Sequence, residues 1–177
     1  MATRPDAGRL GGPVTTVEAY AKLPRERRLA RLALTPDQLA AAIAGQGEAA
    51  LARRPDAANW AATEVICHLR DNEESFLDRL RLIMAMDEPR FVRSNPDRWA
   101  EERQYLASDA GGALRAFRRR REETLEFLGS LAPADWERGG VHLDSRGRRS
   151  IDEFVCVMAW HDDNHVDQLQ RALEGRA

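Results

Sequence analysis

Apolar residues near the end of the chain recur every three or four positions, the spacing with which one face of an α-helix meets a core. Within residues 150–172 this stripe consists of Ile151, Phe154, Met158, His161, His165 and Leu169. Ser150 and Glu153 have the spacing of a capping box at its start, and Gly175 follows its last periodic residue. The pattern therefore predicts a long helix whose buried face includes two histidines one turn apart.

A second stripe with the same spacing predicts a helix from about residue 60 to residue 86. Its inward positions are Val65, His68, Leu69, Asn72, Phe76, Leu80 and Ile83. A third helix is predicted over about residues 110–130, with Asp109 as its cap. The pair Thr35-Pro36 is typical of a helix start and predicts a fourth helix that runs to about Ala44.

The remaining segments connect these helices. Residues 1–13 are rich in Gly, Pro and Arg and are predicted to be a flexible tail, and residues 14–34 an N-terminal helical extension. The connection over residues 87–110 is long enough for a crossover rather than a tight hairpin, and residues 133–147 are predicted to be a loop. No segment alternates like a strand, so the sequence predicts an all-α fold with four main helices.

Charge and cysteine content restrict the function classes. The chain of 177 residues has a net charge of −2, and four consecutive arginines, Arg118 to Arg121, would point to all sides of a helix. We therefore expect no nucleic-acid partner. The two cysteines make no disulfide framework, and we see neither a signal pattern nor a membrane-length apolar run. These features predict a cytoplasmic protein without a membrane partner.

The histidines on the two stripes have the pattern of metal ligands. His161 and His165 are four residues apart, so their rings can reach one ion, and His68 on a facing helix would supply a third nitrogen. Neutral imidazole binds zinc, nickel, iron and copper. Three protein ligands would leave a coordination position for water or substrate, as in catalytic zinc sites. The alternative is that the three rings are buried histidines of an ordinary core.

Acidic residues near these histidines are candidates for the groups that orient them. Glu64 and Asp71 lie one turn on either side of His68, and Asp162 and Asp163 lie between the other two histidines. Each is otherwise a surface charge. His142 lies in the predicted loop and either covers one end of the helices or is a surface residue. The sequence contains no Gly-rich phosphate loop, no recognisable Ser or Cys nucleophile motif and no H-E-x-x-H.

These residues resemble those of a known family. Two segments resemble the DinB/YfiT-like metalloprotein superfamily. They are WAATEVICHLRDNEE, which contains Trp60 and His68, and IDEFVCVMAWHDDNHVDQLQ, which contains His161 and His165. The segment LARRPDAANW and the pair Asp135-Trp136 are also similar, so the resemblance extends over residues 35–173. Ala61 departs from the pattern, since relatives often have a capping Ser or Thr there. The segment before residue 35 is also longer than expected for the family.

The resemblance implies a four-helix bundle with up-down-down-up topology over residues 35–177, and a homodimer. It implies a divalent metal ion held by His68, His161 and His165, with zinc or nickel first and iron or manganese as alternatives. Characterised relatives include transferases and isomerases that use bacillithiol, mycothiol or glutathione, so a low-molecular-weight thiol is an expected partner. Many members have no known reaction.

Three functions are open on this basis, and no catalytic residue is assigned. The first is a metal-dependent thiol S-transferase, with metal-dependent hydrolysis as a variant in which Glu64 or Asp162 acts as base. The second is a non-enzymatic metal-binding protein for stress response, storage or stabilisation of the bundle. The third is a helical interaction module whose histidines are merely buried.

Overall fold

Seven helices and three short strands make up the computed structural model, which describes residues 16–92, 94–144 and 147–177. The helices are α1 (Val17–Ala21), α2 (Arg25–Ile43), α3 (Glu48–Leu51), α4 (Ala62–Ala85), α5 (Pro96–Glu102), α6 (Ala110–Gly129) and α7 (Ile151–Leu173). The strands are β1 (Arg90–Phe91), β2 (Gly139–His142) and β3 (Arg148–Ser150), and 3₁₀ turns cover Tyr105–Ala107 and Pro133–Glu137. The predicted flexible tail over residues 1–13 lies outside the described residues.

Helices α2, α4, α6 and α7 form a four-helix bundle with up-down-down-up topology, which confirms the prediction. Helices α2 and α7 run parallel, since Arg28 contacts Asp152 and Thr35 contacts Asp162. Helix α4 runs antiparallel to α7 and parallel to α6. The connection from α4 to α6 crosses the bundle as predicted and carries β1 and α5. No helix of the described residues combines the length and apolarity that a membrane crossing needs.

Side chains cap the ends of the long helices largely as the sequence indicates. The Ser150 hydroxyl accepts a hydrogen bond from the Glu153 N–H at 3.2 Å, and the Glu153 carboxylate accepts from the Ser150 N–H at 2.7 Å. Asp109 accepts from the first N–H groups of α6. At the start of α4, where Ala61 has no capping group, the Glu64 carboxylate accepts the Ala61 N–H at 2.9 Å. Half of a capping box therefore replaces the missing Ser or Thr.

The predicted helix start at Thr35-Pro36 is wrong, because α2 begins at Arg25 and continues through Pro36. A proline inside a helix removes the N–H that would bond to the carbonyl four residues earlier, here that of Leu32. The Arg121 guanidinium on α6 donates to this carbonyl at 2.7 Å. A side chain from a neighbouring helix thus satisfies the carbonyl that the proline leaves without its usual partner, and the helix does not break.

The sequence also failed to predict strands, and residues 139–142 are a strand rather than part of a loop. Strand β1 pairs in parallel with β2, and β2 pairs antiparallel with β3. Each strand has two to four residues, too few for alternation to be visible in the sequence. The sheet lies against the start of α7, where the rings of Phe91 and His142 contact Phe154 with centroid distances of 6.0 and 5.5 Å.

A buried ionic cluster joins the bundle behind the histidines. The side chain of Arg121 is 2% exposed and lies 2.5 Å from Asp162 and 2.7 Å from Glu73. Other arginines of the same run meet carboxylates at the surface, such as Arg118 with Asp37. The four arginines therefore do not form one patch, as predicted, and Arg121 alone of the run is buried.

Replacing Arg121 by Leu should destabilise the protein strongly. The change leaves two buried carboxylates, Glu73 and Asp162, without their cation, which costs about 3–5 kcal/mol of unfolding free energy. Arg118→Leu is the matched control, because it removes a surface pair worth about 1 kcal/mol or less. Urea unfolding followed by circular dichroism measures both. Equal losses in the two variants would contradict the assignment of Arg121 as the central buried cation.

A side chain at position 140 should loosen the small sheet. A Cβ on Gly140 would lie 2.3 Å from the ring of Phe91 and 2.9 Å from the carbonyl oxygen of Pro89, so Gly140→Ala forces the two strands apart. We expect a loss of about 1–3 kcal/mol in urea unfolding. Gly129→Ala is the control, since nothing lies within 4 Å of its Cβ, and it should be neutral or slightly stabilising. An unchanged midpoint for Gly140→Ala would show that β1 and β2 do not pack as described.

Candidate metal centre

The three predicted ligand histidines lie together, with their Nε2 atoms pointing at one place. The Nε2 atom of His161 is 3.1 Å from that of His68 and 3.1 Å from that of His165. A potential ligand atom of each residue lies within 4.8 Å of the other two. The i, i+4 spacing on α7 aligns two of the rings, and the antiparallel packing of α4 brings the third to them.

The rings are held in an aromatic and largely dry setting. His68 is 3% exposed, and His161 and His165 are half-buried. The ring of Trp60 lies 4.9 Å from that of His68, and the ring of Phe76 lies 6.0 Å from that of His161. These contacts fix the orientation of the imidazoles and keep bulk water away from one side of the site.

Burial keeps the three imidazoles neutral. Burial and, to a smaller extent, repulsion from a positive charge on His165 lower the pKa of His68 to about 3. Burial likewise lowers the pKa of His161 well below its usual value, again with contributions from the neighbouring imidazoles. The pKa of His165 is lowered by burial, against an opposing hydrogen bond to Gln168. Neutral rings have the lone pairs that a metal ligand needs.

The hydrogen bonding of His165 and His161 fits a cation between the rings. The Nδ1 atom of His165 lies 2.7 Å from the Gln168 amide oxygen, which only accepts, so Nδ1 carries the hydrogen and Nε2 a lone pair. In the neutral ring, Nε2 of His161 has either one hydrogen or one lone pair, so it cannot form a hydrogen bond with His68 and another with His165 at the same time. Nitrogens bound at about 2.0–2.1 Å to one tetrahedral zinc ion are about 3.3 Å apart, close to the spacing of His161 from its two neighbours. The donor set and its spacing therefore suit a divalent ion.

None of the acidic residues considered as partners of the histidines has that role. Glu64 accepts from Ala61 and pairs with Arg54, and Asp71 binds Arg70, Arg103 and Tyr105. Asp162 faces Arg121 and Thr35, and Asp163 faces Tyr20 and Arg31. These carboxylates bind cations and hydroxyls that connect the helices, rather than the imidazoles.

Two amides contact the histidines instead. Gln168 is three residues after His165. The Asn72 amide nitrogen lies 3.0 Å from Nδ1 and 3.1 Å from Nε2 of His68, and it donates to the His68 carbonyl at 3.0 Å. Asn72 is on the predicted inward stripe, but neither amide was assigned to the site. A polar residue three or four positions from a candidate ligand on the same helix face is the signal that would have found both.

A cavity of about 750 Å³ opens beside the three histidines. Its walls are mostly apolar and aromatic, and include Trp60, Phe76, Phe154, Val157 and Trp160. Polar groups in the wall include Asn72, Gln168, Arg79, Arg149, His142 and Asp97. His142 thus belongs to the cavity, although it is not among the grouped ligand histidines. The side chains of Trp60 and Trp160 form part of this wall.

Comparison with known proteins agrees with this geometry. The sequence profile of the DinB superfamily matches residues 31–169, which is most of the chain. A curated relative, "Putative metal-dependent hydrolase YfiT" of Bacillus subtilis (strain 168), is 20% identical over 110 residues. That match spans 62% of this chain and 62% of the relative, so it covers less than two thirds of the relative's length.

A solved structure has the same fold. It is described as "YfiT from Bacillus subtilis is a probable metal-dependent hydrolase with an unusual four-helix bundle topology", and it superposes with a TM-score of 0.78 at 17% identity. The match covers 96% of this chain and 95% of the other. Together with the profile match, these observations establish that the chain belongs to the DinB superfamily.

Proposed function

We propose that this protein is a metal-dependent enzyme that transfers a low-molecular-weight thiol to an electrophile bound in the cavity. The observation that carries the proposal is the convergence of three neutral imidazole nitrogens, from His68, His161 and His165, at the wall of that cavity. Zinc or nickel suits this donor set best, with iron or manganese as alternatives. A homodimer stays a prediction, as does the cytoplasm as the location.

The chemistry of such a site would come from the metal and from an external thiol. A divalent ion lowers the pKa of a thiol or a water molecule that binds to it. The protein's own thiols are poor nucleophiles, since burial raises the pKa of both Cys67 and Cys156. Neither cysteine lines the cavity. A thiol that enters from solution would therefore supply the sulfur.

The residues around the cavity would bind and orient the reactants. Trp60, Phe76 and Phe154 offer an apolar surface for the electrophile and exclude water. The hydrogen bond to Gln168 favours the His165 tautomer with a lone pair on Nε2, the atom that would bind the ion. In the transfer, a sulfur–carbon bond forms, the bond from carbon to its leaving group breaks, and the thiol proton leaves to solvent.

Hydrolysis is the second candidate, and the name of the Bacillus relative favours it. Glu64 and Asp162, the two expected bases, are bound to arginines away from the cavity. Among the described residues, Asp97 is the carboxylate that lines the cavity. A thiol loses its proton more easily than water does. A site in which no carboxylate of the described residues lies beside the three histidines therefore suits thiol transfer better.

Metal binding should depend on His161 and not on His142. His161→Ala removes the nitrogen that lies between the other two, so the variant should fail to retain the ion that the wild type binds at about one per chain. His142→Gln removes a cavity imidazole outside the ligand set and should keep the ion. Plasma mass spectrometry after loading with Zn²⁺ or Ni²⁺ and gel filtration measures both. Ion content that falls in both variants alike, or in neither, would contradict the ligand assignment.

The reaction type can be separated with two assays on the metal-loaded protein. Conjugation of glutathione, bacillithiol or mycothiol to 1-chloro-2,4-dinitrobenzene should be accelerated by the wild type and reduced to the uncatalysed rate in His161→Ala. Release of p-nitrophenol from p-nitrophenyl acetate without any thiol tests hydrolysis. Turnover in the second assay alone would replace the transferase proposal by the hydrolase. Retained metal with turnover in neither assay would favour a non-enzymatic metal-binding protein.

A further inference from the structure

One face of the small sheet forms part of the cavity wall. In the β2–β3 ladder Gly140 is opposite Arg149, and side chains two residues apart on a strand share a face. His142 therefore lies on the same face as Arg149, and both residues line the cavity that holds the three ligand histidines. The absence of a side chain at Gly140 lets the Phe91 ring pack closely on this face. The sheet thus presents a cation and an imidazole to the cavity.

Arg149 has no acidic partner among the described residues. Arg149 is half-buried, yet it makes no ion pair with any carboxylate of the described ranges. Other arginines without an ion pair, such as Arg27, Arg90 and Arg119, are exposed to water. Its neighbour Arg148, on the opposite face of the strand, is exposed and pairs with Glu88 at 2.7 Å. Arg149 is therefore a partly desolvated cation at a cavity wall.

The rest of the wall adds to the positive potential. Arg79 also lines the cavity, donates to the Val92 carbonyl at 3.3 Å, and lies over the Phe91 ring at 5.6 Å. Among the described residues that line the cavity, Asp97 is the one with a carboxylate side chain. In the described part of the wall, two guanidiniums and one carboxylate leave a net positive charge, and low-dielectric surroundings strengthen its attraction for an anion.

We propose that Arg149 binds an anionic group of the molecule that occupies this cavity, so that the substrate or thiol is a small amphiphilic anion. A guanidinium matches a carboxylate or a phosphate-type group with two parallel hydrogen bonds. The aromatic wall of the cavity would contact the apolar middle of such a molecule, and its other end would reach the metal centre. This inference rests on the proposed function, because it uses the same cavity and the same ion.

A series of hydroxamates tests the inference by binding rather than by turnover. The monohydroxamates of succinic, adipic and suberic acid have a metal-chelating end and a carboxylate at different distances. Their methyl esters are uncharged partners of the same length, and a phosphonate-ended series distinguishes the two kinds of anion. Isothermal titration to Zn²⁺-loaded protein should show an anionic member that binds about tenfold more tightly than its ester.

The gain in affinity should depend on Arg149 and not on its neighbour Arg148. In Arg149→Gln the anionic compound and its ester should bind equally, while Arg148→Gln, which removes a charge from the same strand, should keep the preference. A preference that survives in Arg149→Gln, or its absence at every length in the wild type, would overturn the inference. Binding of the esters to the metal-loaded but not to the metal-free protein tests the metal centre separately. A failure of the proposed function can therefore be distinguished from a failure of the inference about Arg149.

Discussion

The buried guanidinium of Arg121 is the interaction on which the bundle depends. It donates to the Leu32 carbonyl on α2, and it faces Glu73 on α4 and Asp162 on α7. One side chain of α6 thus contacts the three other helices of the bundle. Because buried charges are tolerated only when they are paired and hydrogen-bonded, the four helices can satisfy this group in only a narrow range of relative positions. The cluster is therefore a constraint on register as well as a source of stability.

That constraint reaches the three histidines directly. Asp162 follows His161 in α7, and Glu73 is five residues after His68 in α4. Fixing the carboxylates on Arg121 fixes the height and rotation of both helices, and with them the place where the three Nε2 atoms meet. The acidic residue Asp162, which the sequence suggested as a partner of the histidines, therefore acts indirectly, because it holds the helices in position and does not orient the rings.

Helical periodicity was enough to predict most of the fold and the meeting of the three histidines. The stripes of α4 and α7 placed His68, His161 and His165 on core-facing positions, and the 3.6-residue repeat depends only on local sequence. Features that depend on distant contacts could not be predicted in this way. Helix α2 continues through Pro36 because the Arg121 guanidinium donates to the Leu32 carbonyl, and β1 pairs with β2, a strand that follows only after α6. Nothing in the sequence distinguishes Arg149 from the other arginines of this arginine-rich chain, because its position at the cavity depends on the pairing of β2 with β3.

The coordination sphere of the loaded protein tests the central claim most directly. X-ray absorption at the zinc edge, recorded with and without an added low-molecular-weight thiol, counts the nitrogen and sulfur neighbours of the ion. We predict imidazole nitrogens from the three histidines with at least one exchangeable oxygen, and replacement of that oxygen by sulfur at about 2.3 Å when the thiol is added. A sphere closed by a fourth protein ligand, or one that does not change with the thiol, would contradict an open site that works in the cavity.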